Sequence, residues 1–362
     1  MKTVILPFKL KVPMLACGAD TKGAFALAKG NKAYLVDGFG DLSDPDNLEK
    51  YEKAVRAYSK KLNIRPRVIA CDLHPDYLSS KFAEEIANKL VVSGPWSVDR
   101  GPLRVQHHEA HVASAIIDNS IRGDVIGVAF DGTGYGLDGN VWGGEFFTGS
   151  LEGFKRAGHL EYVAMPGGEA AVKEPWRMAV SFLHHGRAND LIRKLYGKKA
   201  DPVKMLIDKG INSPITSSAG RLFDAAASII LGKKKAKFEA ELPIELERIA
   251  EESCDDCYDA VETPDIIKCV ARDALRCHDR HVVSAKFHNS VARLILKMAG
   301  KIRKNTNIKR VALTGGVFQN KFLTERAAGA LENAGFKVFI HASIPTNDSG
   351  IPIGQIGLTP CV

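Results

Sequence analysis

Twice along the chain, a short apolar run closes on an aspartate. Arg67-Val68-Ile69-Ala70-Cys71-Asp72 and Val125-Ile126-Gly127-Val128-Ala129-Phe130-Asp131 are rich in β-branched residues and too short for helices. Runs of this kind read as strands buried in a sheet. Each sits in the same local grammar of hairpin, helix, strand and helix. In the first round residues 24–36 form a hairpin turning at Gly30-Asn31. Residues 48–62 carry Leu48, Tyr51, Val55, Tyr58 and Leu62 at helical spacing, and residues 77–90 place Leu78, Phe82, Ile86 and Leu90 on one helical face. In the second round Asp131 leads into a glycine-rich turn and an apolar strand through Phe146-Phe147. Later, strand 310–314 enters Gly315-Gly316, followed by a helix over about 319–334 and a strand over 337–341. Residues 170–305 read as mostly helical, an insertion capping the second half, with Gly232-Lys233-Lys234-Lys235-Ala236-Lys237 as an exposed turn. Alternating strand and helix signals predict an α/β fold.

Composition narrows the classes. With 362 residues, 45% apolar and 25% charged, the chain has the make-up of an ordinary globular protein rather than a disordered, collagenous or coiled-coil one. The net charge of +8 favours an anionic ligand or partner, although such an excess mostly aids solubility. Pro7 and Lys9 interrupt the first apolar run before it could serve as a secretion signal, and no stretch approaches a membrane span. Seven cysteines, an odd number, do not form a disulfide framework, so a cytoplasmic location is expected. Cys254-Asp255-Asp256-Cys257 has the gap of a zinc pair. The spacings to Cys269 and Cys277-His278 fit no standard knuckle, and the segment reads as charged helix. The basic runs at 233–237 and 301–309 read as solvated faces.

Four constellations could carry chemistry. In Gln106-His107-His108-Glu109-Ala110-His111, a helix places His107 and His111 on one face with Cβ atoms about 6 Å apart, a reach that suits one divalent metal. The order His-His-Glu-Ala-His is not that of a zincin protease. Asp131-Gly132-Thr133-Gly134-Tyr135-Gly136 is a turn whose backbone N–H groups could approach phosphate, yet it matches neither a Rossmann nor a Walker spacing. Leu313-Thr314-Gly315-Gly316-Val317-Phe318-Gln319-Asn320 feeds a strand into a helix N-terminus, a natural anion site, with Asn320 placed to bond a nucleoside. Asn347-Asp348-Ser349-Gly350 precedes a final helix or turn, and Ser218-Ala219-Gly220-Arg221-Leu222-Phe223-Asp224 is a capped helix start whose Asp224 is either a solvated acid or a ligand for a sugar hydroxyl.

Taken with Asp72-Leu73-His74-Pro75-Asp76-Tyr77-Leu78-Ser79, Trp142-Gly143-Gly144-Glu145 and Glu174-Pro175-Trp176-Arg177, these motifs resemble, in order and over residues 14–357, the carbamoyltransferase part of the [NiFe]-hydrogenase maturation factor family HypF. The resemblance implies an actin-like ATPase fold of two ribonuclease-H-like subdomains, residues 12–122 and 123–362, the second with the helical insertion. It implies a metal held by His107, His111 and Asp348, which would form the catalytic centre. It also implies an adenylate site at Asp131, Gly132, Thr133, Gly134, Tyr135, Asp224, Gly315, Gly316 and Asn320. The expected cofactors are a divalent metal, iron or zinc first and manganese or magnesium next, and ATP, ADP or carbamoyl-adenylate. The implied reaction moves a carbamoyl group from carbamoyl-adenylate to the C-terminal cysteine thiolate of a HypE-like partner, on the way to a cyanide ligand.

The residue types suit that chemistry. Two imidazoles and a carboxylate favour iron, zinc or manganese over calcium, and an already activated anhydride needs holding and charge neutralisation more than water activation. The usual family member carries acylphosphatase-like, zinc-finger and adenylate-forming units before this region. A chain like this one is therefore expected either to draw its adenylate from a separate adenylate-forming protein or to be a piece of a longer chain that carries those units. Within Lys237-Phe238-Glu239-Ala240-Glu241-Leu242, Ala240 stands where the family usually has a glycine near the nucleotide, and Val36-Asp37-Gly38-Phe39-Gly40-Asp41 also departs from the family form. Two other readings stay open: a tRNA threonylcarbamoyl-type transferase, and an actin-like nucleotide-binding phosphotransferase or scaffold. Nucleic-acid and membrane partners are not expected.

Overall fold

A computed structural model describes residues 1–89, 101–260 and 262–359. Leu90 and Cys361 lie outside the described residues. The first sheet comprises β1 (Lys2–Ile5), β2 (Met14–Ala16), β3 (Phe25–Lys29), β4 (Lys32–Val36), β5 (Val68–Asp72) and β6 (Leu103–Val105), with α1 (Pro45–Lys61), α2 (Leu78–Lys89) and α3 (His107–Asp118) between or after them. The second comprises β7 (Val125–Tyr135), β8 (Val141–Ser150), β9 (Gly153–His159), β10 (Val163–Ala164), β11 (Ile215–Thr216), β12 (Arg310–Thr314) and β13 (Lys337–Phe339). Between β10 and β12 lie α4 (Glu169–Lys173), α5 (Trp176–His185), α6 (Asn189–Tyr196), α7 (Asp201–Lys209), α8 (Ala219–Leu231), α9 (Glu241–Arg248), α10 (Thr263–Leu275) and α11 (Arg280–Thr306). α12 (Lys321–Asn333) joins β12 to β13, and α13 (Ile351–Gly357) comes last.

The two sheets share one topology. β2, β3 and β4 form an antiparallel meander, β5 joins parallel to β2, and β6 parallel to β5. β7, β8 and β9 repeat the meander, with β12 parallel to β7 and β13 parallel to β12. The order 3-2-1-4-5 thus occurs twice. This is the ribonuclease-H-like arrangement doubled in the actin-like ATPase fold. The central strands are the apolar runs of the sequence: all five residues of β5 are buried, as are Val125 through Asp131 of β7.

Two features depart from the sequence reading. The glycine-rich stretch after Asp131 is not a turn. β7 continues through it to Tyr135 with an irregularity between Phe130 and Gly134, and the reversal comes at 136–140, where Gly136 N–H donates to Asn140 O. The segment carrying Cys254 and Cys257 is irregular backbone between α9 and α10 rather than helix.

A division at residue 122 separates the strands of the two sheets but not their layers. α3, from the first half, packs on β7 and β12; α13, from the end of the chain, packs on β2 and β5. The two helices also pack on each other. Ile353 and Ile356 of α13 share an apolar core with Met14, Ala16, Val68 and Ile117. At their contact a Cβ on Gly354 would stand 1.8 Å from the carbonyl oxygen of Ala110, so only a glycine fits.

Candidate metal centre and nucleotide cleft

Three segments that are remote in sequence meet where α3 begins. Gln106 caps α3, its side chain accepting from Glu109 N–H at 2.9 Å, which fixes the first turn and the two histidines on it. His107 and His111 are fully buried, their rings 5.0 Å apart. Asp131 projects from the irregular point of β7. Asp348 lies in a short 3₁₀ turn just before α13. His107 Nε2 is 3.3 Å from Asp131 Oδ2 and 3.6 Å from Asp348 Oδ1; His111 Nε2 is 3.7 and 3.5 Å from the same atoms. One ligand atom from each of the four residues falls within 4.8 Å of the others.

Most of these ligands are held from behind. His107 Nδ1 faces Asp72 Oδ2 at 2.8 Å, at the end of β5. Asp131 Oδ1 accepts from Gly316 N–H at 2.9 Å, and Asp348 Oδ2 accepts from the Thr21 hydroxyl. Each near atom is thereby turned inward. Neither His111 nitrogen has a hydrogen-bond partner although both are buried, a costly arrangement for imidazole alone. Burial opposes charging His107, but Asp72, Asp348 and Asp131 outweigh it and hold its pKa well above the ordinary range. His111 is likewise raised against burial, by Asp131 and Asp348. Burial would raise both carboxyls, yet the imidazoles hold Asp131 and Asp348 below the usual range; for Asp348 they also overcome repulsion from Asp131. The centre therefore favours positive charge. A two-nitrogen, two-oxygen donor set with an orphaned imidazole nitrogen fits a divalent iron, zinc or manganese ion.

His107 and His111 thus share a face as their spacing predicts, Asp348 lies with them as the resemblance implies, and Asp131, expected at the nucleotide, joins them. His108 does not. It is buried, its Nδ1 3.3 Å from Gln106 Nε2, and burial and His107 push its pKa well down. The cysteines form no comparable group among the described residues: Cys257 Sγ faces Arg293 at 3.5 Å and Cys277 is exposed.

A cleft of about 620 Å³ opens from the carboxylate side of this centre. Gly132, Thr133, Asp224, Gly316 and Asn320 line it, together with Asp131 and Asp348. The remaining predicted residues do not. Gly134 lies beneath the histidines, where a Cβ would meet His108 at 2.5 Å and His107 at 3.0 Å. Tyr135 is exposed beside His74, ring centroids 5.3 Å apart. Gly315, at φ +98°, presses on the backbone of Phe130. The expected anion site at Gly315-Gly316 is also altered. Gly315 N–H donates to Thr346 O, Gly316 N–H is taken by Asp131, and a 3₁₀ turn over Gly316–Gln319 separates the strand from α12. Asn320 is the N-cap of α12 rather than a residue of its first turn.

Sequence reasoning passed over several lining residues. Thr21 and Lys22 reach in from the β2–β3 loop, and Lys22 meets Glu239 at 3.5 Å across the cleft. Buried Arg221 pairs with Asp224 at 2.8 Å; burial nevertheless pushes Asp224 up to about 6, Arg221 offsetting only part of it. The short run Gly18-Ala19-Asp20-Thr21-Lys22-Gly23, glycine-bounded and between two strands, was the available signal.

Comparison with known proteins bears on this geometry. Residues 9–118 match the family model described as the HypF Kae1-like domain, and residues 127–355 match that of the carbamoyltransferase Kae1-like domain, second subdomain. This chain belongs to the HypF family. It is 31% identical over 367 residues to the carbamoyltransferase HypF homolog of Cupriavidus necator, covering 95% of this chain and 90% of that protein. It is also 31% identical to carbamoyltransferase HypF of Synechocystis sp., covering 98% of this chain but 48% of the relative, so it spans about half the length of that longer HypF. The crystal structure of full-length HypF in the phosphate- and nucleotide-bound form superposes with a TM-score of 0.90 at 34% identity, over 99% of this chain and 56% of that one. HypF of T. kodakarensis superposes with a TM-score of 0.85 at 28% identity, over 98% of this chain and 48% of that one.

Proposed function

We propose that this chain is a carbamoyltransferase of hydrogenase maturation. In this reading it moves the carbamoyl group of carbamoyl-adenylate to the C-terminal cysteine of a HypE-like protein, with the adenylate made by a separate protein in the cytoplasm. The observation that carries the reading is the four-ligand centre of His107, His111, Asp131 and Asp348 at one end of a cleft lined by Gly132, Thr133 and Asp224.

The reaction balances simply. The acceptor thiolate attacks the carbamoyl carbon, the bond from that carbon to the phosphate oxygen breaks, and AMP leaves with the electron pair. A bound divalent ion at the four ligands would supply Lewis-acid neutralisation of the phosphate. The rest is positioning. Asp72 orients His107, Gly316 N–H fixes Asp131 and Thr21 fixes Asp348, so the centre needs little rearrangement when charge develops. Lys22 and Arg221 also line the cleft, each already paired with a carboxylate, Glu239 and Asp224. Cys17 and Cys71 are buried thiols pushed up by burial, Cys71 to about 11, which suits a nucleophile arriving from outside the chain. Supplied with carbamoyl-adenylate and a cysteine-ended acceptor, the chain should form the S-carbamoyl product, and His107→Ala should abolish it. Full transfer by that variant would refute the reading.

A further inference from the structure

His288, in the middle of α11, is fully buried and packed among aromatic rings, Phe223 at 5.4 Å and Phe322 at 5.2 Å. No sequence motif marks it. Its Nδ1 lies 2.8 Å from Ser284 O, and its Nε2 lies 2.9 Å from Asn320 Nδ2. Asn320 Oδ1 accepts from Leu323 N–H at 2.8 Å. Each bond dictates the next. A backbone N–H can only donate, so the atom facing Leu323 must be the amide oxygen, and the NH₂ must face His288. His288 Nε2 must then be a lone pair, and its proton must sit on Nδ1, where Ser284 O receives it. Burial holds this imidazole neutral, its pKa pushed down to about 4. The amide NH₂ carries two protons, of which His288 takes one. Asn320 lines the cleft, as does Phe223, which packs on His288.

We propose that His288 is a positioning residue that locks the Asn320 carboxamide, so that the cleft presents an N–H donor at this point and selects a nucleotide offering an acceptor there. This rests on the nucleotide reading of the cleft, but not on the transfer reaction or on the metal.

Calorimetric titration of ADP, with metal content measured alongside, tests it. His288→Phe fills the same aromatic surroundings but removes the acceptor; ADP binding should weaken about tenfold with metal content unchanged. Asn320→Ala should lose about as much, and the double variant no more than either single one, because the two side chains act as one unit. His288→Gln, whose amide oxygen can take the place of Nε2, should recover most of the affinity. Should His288→Phe fail to fold, Asn320→Asp carries the test: it keeps the cap on Leu323 yet replaces the donor by an acceptor, and should lose at least tenfold. Wild-type affinity in folded His288→Phe or in Asn320→Asp, or additive losses in the double variant, would overturn the inference while leaving the nucleotide reading intact. Failure of the unsubstituted chain to bind ADP would overturn both.

Discussion

His107 depends on a carboxylate that arrives from another strand. Asp72 Oδ2 sits on its Nδ1 at 2.8 Å while Asp72 Oδ1 accepts from His74 N–H, so the acid itself cannot swing. A carboxylate behind a ligating imidazole fixes its tautomer and raises its basicity. Asp72→Asn should therefore weaken zinc or cobalt binding by 10- to 100-fold, read by titration; unchanged affinity would contradict this role. Protons compete with the metal at both imidazoles, whose pKa values are raised above the ordinary 6.5. Metal affinity should accordingly fall as pH falls, with the decline beginning above about pH 6.5. The metal-free chain has the opposite sign: the stability that charged His107 contributes is full below about pH 6.5 and is lost as pH rises through its raised pKa. Ala240 offers a separate test. It holds φ +61° at the cleft wall, a left-handed conformation that costs an L residue about 1–2 kcal/mol. After the entropy cost of glycine, Ala240→Gly should stabilise the chain by roughly 0.5 kcal/mol, measured by urea unfolding. At this scale the sequence disclosed the ligand types but not their orientation. Asp131 reads from sequence as the end of a strand that in fact runs on to Tyr135, and nothing local shows that it faces two histidines; His288, between Phe287 and Asn289 and 32 residues from its partner, had no pattern to mark it.

At the scale of elements, the packing of α3 on α13 holds the candidate metal ligands in place. Ala110 lies between His107 and His111, and its carbonyl is where Gly354 passes closest. Gly354→Ala must push the helices apart, at a cost of about 3 kcal/mol, and should loosen the centre as well; thermal unfolding and metal content together check this. A variant with wild-type stability would mean the helices are free to separate. α11 supplies a pH effect. His288, held neutral with a pKa of about 4, forces the folded state to exclude a proton that the unfolded chain accepts below about 6.5. Its contribution is intact above pH 6.5 and lost as pH falls towards 4, about 3 kcal/mol in all. The acid limb of the stability curve should be shallower in His288→Phe. Strands with period and length of their own, such as β5 and the β3–β4 hairpin, were legible in the sequence. The continuation of β7 through Gly132 and Gly134 was not, because glycine signals a turn in isolation and only the pairing of β7 with β8 overrides it.

At the scale of the molecule, the doubled 3-2-1-4-5 sheet order and the cleft place Thr21 and Lys22 from the first sheet opposite Asp224 and Glu239 from the helical insertion. The repeat was visible only as a recurring order of elements, since the two halves have no common sequence that would reveal it. The crossing of α3 and α13 between the sheets was not legible at all, because it is set by which apolar faces find each other rather than by any local signal. It explains why ligands from positions 107, 111, 131 and 348 share one centre. The most direct measurement is the number of zinc or cobalt ions bound per folded chain at equilibrium. The account predicts one ion in the unsubstituted chain and in Asp224→Asn, and none in His107→Ala or Asp348→Ala. One ion retained by the doubly substituted His107→Ala, His111→Ala chain would contradict it.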